Sequence, residues 1–62
     1  MFNDNQIELL TVTECAELLF TIKGTVYHLL RTGELKGFLL GKSWKIPYES
    51  VQVYIKSKSG LK

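Results

Sequence analysis

Four cations, Lys23, Arg31, Lys42 and Lys45, fall between residues 23 and 45 of this 62-residue chain, interleaved with Thr25, Tyr27, His28 and Ser43. Cations spaced among hydroxyls, a phenol and an imidazole suit one kind of chemistry. Ammonium and guanidinium groups neutralise phosphates and provide most of the affinity for a polyanion, while side chains with donors and acceptors orient on it or read base edges. Covalent chemistry is poorly provided for. Cys15 is the single cysteine and His28 the single histidine, so neither a disulfide, nor a Cys/His zinc site, nor a catalytic triad can be assembled within the chain. No glycine-rich phosphate loop is present, and Asp4 lies in a segment without periodicity. The expectation is a binding protein that is not an enzyme and needs no cofactor or metal.

The charge distribution supports this. The formal net charge is only +2, but Asp4, Glu8, Glu14 and Glu17 all precede Phe20, whereas all 8 Lys and Arg follow it with only Glu34 and Glu49 to oppose them. The balance is thus −4 before Phe20 and 8 − 2 = +6 after it. One basic face with an acidic opposite side orients a small domain on a polyanion. With 62 residues the chain makes one domain, and 45% hydrophobic residues suffice for one small core. No apolar run approaches the roughly 18 residues needed to cross a bilayer, and the polar start lacks the pattern of a signal peptide. A cytoplasmic protein with no membrane partner is expected.

The elements that must position the basic residues follow from periodicity. Thr11-Val12-Thr13-Glu14 has the spacing of a capping box, so a helix is expected to begin at Val12. Its apolar face is Val12, Cys15, Ala16 and Leu19, which makes Cys15 a small core residue. Phe20-Thr21-Ile22 interrupts the phase, and Val26, Leu29 and Leu30 restart it. Two helices joined by about three residues fit a helix-turn-helix. The second ends at Thr32-Gly33, where glycine can take a left-handed conformation and Arg31 suits the helix dipole. Its exposed face is expected to carry Gly24, Tyr27, His28 and Arg31.

Two apolar-alternating runs flank Gly41-Lys42-Ser43 and read as a hairpin. Pairing Leu40 with Trp44, Phe38 with Ile46 and Leu39 with Lys45 puts the first two pairs inward, leaves a three-residue loop, and makes Trp44 an anchor for the wing rather than a stacking platform. Pro47 ends the second strand. Val51, Tyr54 and Ile55 mark a third helix that packs back, and the chain from Ser57 is expected to fray.

The capped first helix, Thr25-Val26-Tyr27, Thr32-Gly33-Glu34-Leu35 and Trp44-Lys45-Ile46-Pro47, in this order and spacing, resemble the excisionase family of small DNA-binding domains. The likeness runs from about Leu10 to Lys56. It implies a winged helix-turn-helix related to that of MerR-type regulators, with the second helix in the major groove and the wing on backbone or minor groove. Family members occur on phages, plasmids and conjugative transposons, where some act as recombination directionality factors that bend DNA and recruit an integrase and others regulate transcription. This chain departs from the family pattern at four places. Phe20 replaces a turn glycine, Ile22 a capping Ser or Thr, Gly24 a polar residue, and Leu39 an outward basic residue.

The resulting expectation is a small, mainly helical α+β fold: a two-helix helix-turn-helix, a β-hairpin wing and a C-terminal helix. Residues 1–8 form an arm that Ile7 and Leu9 tether, residues 9–57 the domain, and residues 58–62 a basic tail. Double-stranded DNA is the expected partner, an integrase or recombinase a second, with cooperative self-association on repeated sites. On the recognition helix Lys23, Thr25 and His28 are candidates for base readout, with Gly24 permitting close approach and Tyr27 and Arg31 serving phosphates. Lys42, Ser43 and Lys45 are the wing candidates. The alternatives are a MerR-like transcriptional regulator and a protein-interaction module that has lost DNA binding.

Overall fold

The computed structural model describes residues 8–60, so most of the expected arm, including the tether at Ile7, and Leu61 and Lys62 of the tail lie outside the described residues. The elements run β1 (Leu9–Leu10), α1 (Val12–Leu18), α2 (Lys23–Thr32), β2 (Phe38–Leu40), β3 (Ser43–Pro47) and α3 (Tyr48–Ser59). This is a winged helix-turn-helix of three helices and a small antiparallel sheet ordered β1-β3-β2.

The start of α1 is fixed by the capping box. The Thr11 hydroxyl accepts from the Glu14 N–H at 3.1 Å, and the Glu14 carboxylate accepts from the Thr11 N–H at 2.9 Å. Its end is a Schellman motif: the Phe20 N–H donates to the Glu17 carbonyl at 3.2 Å and the Thr21 N–H to the Ala16 carbonyl at 2.9 Å. That motif needs a left-handed residue at the position of Phe20, which has φ of 56°, the one positive φ among the described non-glycine residues. Phe20 therefore takes a conformation that glycine adopts without steric cost. Its ring has nothing to pack on and is 96% exposed.

The helix α2 begins at Lys23 with Ile22 as its N-cap, and no side chain caps it. The Thr25 and Val26 amides reach only the Ile22 carbonyl, at 3.1 and 3.4 Å. Gly33, with φ of 85°, closes the helix, and the Leu35 N–H turns back to the Leu29 carbonyl at 3.1 Å. This return buries Leu35 completely under α2 and aims the chain into the sheet.

The hairpin differs from expectation by one residue of register. Phe38 pairs with Lys45, Leu39 with Trp44 and Leu40 with Ser43, so the loop is the two residues Gly41-Lys42. Gly41 has φ of 66° while Lys42 has no positive φ, the pattern of a II′ turn with glycine at its first central position. Leu39, Trp44 and Ile46 therefore share one face, whereas Phe38, Leu40 and Lys45 share the other. The expected inward pairs Leu40–Trp44 and Phe38–Ile46 do not form. Gly37 supplies the physical reason: a Cβ there would lie 2.8 Å from the Leu30 Cδ2, 3.0 Å from the Lys45 carbonyl oxygen and 3.2 Å from the Ile46 Cγ1. Only a residue without a side chain fits between α2 and β3, and that pins Gly37 inward.

The sheet also has a strand that periodicity did not reveal. Leu9 and Leu10 pair with Pro47 and Ile46, and the Tyr48 N–H donates to the Glu8 carbonyl at 2.9 Å. The core joins Val12, Cys15 and Ala16 of α1, Val26, Leu29 and Leu30 of α2, then Leu35, Ile46 and Val51, with Leu10, Leu19, Trp44 and Tyr54 packed around it. Two expectations for α3 are corrected. Ile55 stays 40% exposed instead of joining Val51 and Tyr54 in the core, and Ser57, Lys58 and Ser59 are helical rather than frayed. Gly60 ends α3 in a left-handed conformation, and Lys58 is held by Glu34 at 3.0 Å.

Candidate nucleic-acid interface

The burial of Val26, Leu29 and Leu30 sets the rotation of α2 and hence the direction of its other side chains. Gly24, His28 and Arg31, spaced i, i+4 and i+7, lie along the stripe opposite the core. Lys23 and Tyr27, spaced i and i+4, lie on the flank that faces the wing. Thr25 is on the other flank, so the six candidate residues of α2 divide among three directions.

The wing flank is a built surface. Lys23 and Tyr27 line a groove of about 230 Å³ together with Lys42, Ser43 and Lys45 of the wing. Trp44 forms part of the wall, half-buried against the core. The third wall is the start of α1, contributed by Thr11, Val12 and Thr13, which sequence reasoning did not include. Thr11 and Thr13 could have been suspected from one signal: a capping hydroxyl stands at a helix start that packs beside α2. No lining residue is acidic. The nearest carboxylate in sequence, Glu14, is tied to the Thr11 amide by the capping box.

Three lysines thus border one concavity. Among the described residues the salt bridge is that of Lys58 with Glu34, which leaves Lys23, Arg31, Lys42 and Lys45 without carboxylate partners. Lys42 is exposed at the tip of the II′ turn, whereas Lys45 is half-buried beside Phe38 on the sheet face away from Trp44. Tyr27 is 38% exposed and lines the groove between helix and wing. Hydroxyl groups of Thr11, Thr13, Ser43 and Tyr27 supply donors and acceptors around the cations.

Lys58, beyond α2 and the wing, behaves differently. The Glu34 carboxylate holds the Lys58 ammonium above the ordinary lysine range by accepting its hydrogen bond, and the same ammonium lies 5.9 Å from the centre of the Tyr54 ring. Cys15 is fully buried, and burial pushes its thiol up, away from the thiolate that a nucleophile needs. No described helix is long and apolar enough to cross a membrane.

A family model described as a helix-turn-helix domain matches residues 9–59. No curated protein and no solved structure matches the chain.

Proposed function

Because the chain belongs to the helix-turn-helix domain family, we propose that it binds double-stranded DNA, with α2 in the major groove and the wing on the adjacent backbone. One observation carries the reading: Lys23 and Tyr27 of α2 and Lys42, Ser43 and Lys45 of the wing line a single groove without an acidic residue. A helix and a hairpin that share a cationic concavity can hold a phosphate strand between them while the outermost stripe of the helix faces bases. Lys23, Arg31, Lys42 and Lys45 neutralise phosphates, Tyr27 and Ser43 donate to them, and Gly24, Thr25 and His28 are left to approach base edges.

The finer role is that of an excisionase, a recombination directionality factor of a mobile element, working with an integrase and assembling cooperatively on repeated sites. Its support is the order of the capped first helix, Thr32-Gly33-Glu34-Leu35 and Trp44-Lys45-Ile46-Pro47 along the chain. One domain of this size reads few base pairs, so repeated sites supply the missing affinity. A MerR-like transcriptional regulator uses the same surface and differs in consequence, bending a promoter instead of an attachment site.

Fluorescence anisotropy of the protein with random-sequence duplex across a salt series tests the common part. Four phosphate contacts, from Lys23, Arg31, Lys42 and Lys45, predict that log affinity falls with log salt at a slope of about 3–4. Binding that is absent at low salt, or indifferent to salt, would overturn duplex binding by this surface.

A further inference from the structure

The N-terminal turn of α2 presents hydrocarbon where the remainder of its outer stripe presents polar groups. Ile22 is 70% exposed, makes no capping hydrogen bond, and places its Cδ1 3.8 Å from the point where a Cβ on Gly24 would stand. The isoleucine side chain therefore lies beside Gly24 at van der Waals distance, and with no side chain at position 24 nothing projects beyond it there. Donors and acceptors appear on that stripe only one turn later, at His28, and two turns later, at Arg31. A helix that enters a major groove by its N-terminal end leads with this apolar surface.

The base edges in a major groove offer donors, acceptors and one hydrocarbon group, the thymine 5-methyl. We infer that Ile22 is a specificity-determining residue that selects duplex sites by packing on a thymine 5-methyl group, with Gly24 adding no side chain of its own beside it. The inference rests on the duplex-binding reading above. The absence of a cap fits the same arrangement, because a serine or threonine at position 22 would turn its hydroxyl back to the helix amides and leave the methyl without an apolar partner. Burial of one methyl group corresponds to about fourfold in affinity, which sets the size of the preference.

The test needs a duplex selected from a random pool with the unmodified chain, then remade with deoxyuridine in place of each thymidine in turn, which removes only the methyl group. Anisotropy is read for the unmodified protein, Ile22→Val and Ile22→Ser. Serine restores a helix cap, so the melting temperature of Ile22→Ser should equal or exceed that of the parent, and any change in preference is not a folding defect. The expected result is a position where deoxyuridine weakens the parent about fourfold, Ile22→Val less, and Ile22→Ser not at all, with the salt slope unchanged in all three. Deoxyuridine tolerated at every position by the parent, or penalised equally in Ile22→Ser, overturns the assignment of Ile22 while leaving duplex binding intact. Loss of salt-dependent binding to any duplex removes both.

Discussion

Replacing Phe20 by glycine should stabilise the protein, although it deletes an aromatic side chain from a domain with a small core. The left-handed backbone at Phe20, with φ of 56°, costs an L-residue about 1–2 kcal/mol. Glycine removes that strain but returns about 0.5–1 kcal/mol through the greater freedom of the unfolded chain. The ring is 96% exposed, so truncation forfeits no burial, and the Schellman hydrogen bonds of Phe20 and Thr21 are made by backbone that glycine retains. The net gain is about 0.5–1 kcal/mol, which raises the melting temperature of a domain this small by about 2–8 °C. Thermal and urea unfolding followed by far-UV circular dichroism would measure it, with Phe20→Ala as the control. Alanine removes the ring yet keeps a Cβ in the left-handed region, so it should stay within about 0.5 kcal/mol of the parent. An equal gain in both variants would mean that the exposed ring, not the backbone, is the liability. No gain in Phe20→Gly would refute the strain argument outright.

Lys42→Ala should weaken binding to all duplexes alike and lower the salt slope by about 1, while His28→Ala, on the outermost stripe of α2, should change the ranking of sequences with little effect on the slope. Competition anisotropy against a panel of duplexes separates the two, and uniform losses for both changes would count against the division of labour between wing and helix. Gly37→Ala should destabilise by about 1–3 kcal/mol, because the new Cβ meets the Leu30 side chain and the Lys45 backbone at once. Denaturant midpoints unchanged from the parent would show that Gly37 is not what sets the hairpin register. Cys15, whose thiol is raised by burial from the ordinary value of 9.0, favours its protonated form in the folded state. Its contribution to stability is full below that ordinary value and is lost as pH rises from there through the raised folded-state value, because in that window only the unfolded chain releases the proton. A Cys15→Ala variant should lose this alkaline component, seen as a flatter stability curve above that pH; identical curves for the two proteins would contradict it.

Features written in local chemistry were legible before the structure. The Thr11–Glu14 capping box, the left-handed Gly33 and the three-and-four spacing of Val26, Leu29 and Leu30 each depend on residues within one or two turns, and all three recur in the fold. What depended on distant partners was not legible. The strand β1 exists because Leu9 and Leu10 find Pro47 and Ile46 far along the chain, and two leucines carry no periodicity of their own. The hairpin register was decided by the fit of Gly37 beneath Leu30, whereas counting apolar side chains favoured burying Phe38 and Leu40, which remain 44% and 62% exposed. The groove lay between these cases: its cations stood out in the sequence, but the wall formed by Thr11 and Thr13 depends on how α1 packs beside α2 and β3.

The single residue Thr11 separates β1 from α1, and β1 is hydrogen-bonded to the same strand that carries the wing back from its tip. Strand and helix are thus soldered at one joint, leaving little slack between the hairpin and the helix pair. Under the proposed duplex binding, DNA seated on both would meet a caliper of set opening: where its groove width does not match, the nucleic acid would have to deform, and sequences that deform cheaply would gain affinity at positions no side chain touches.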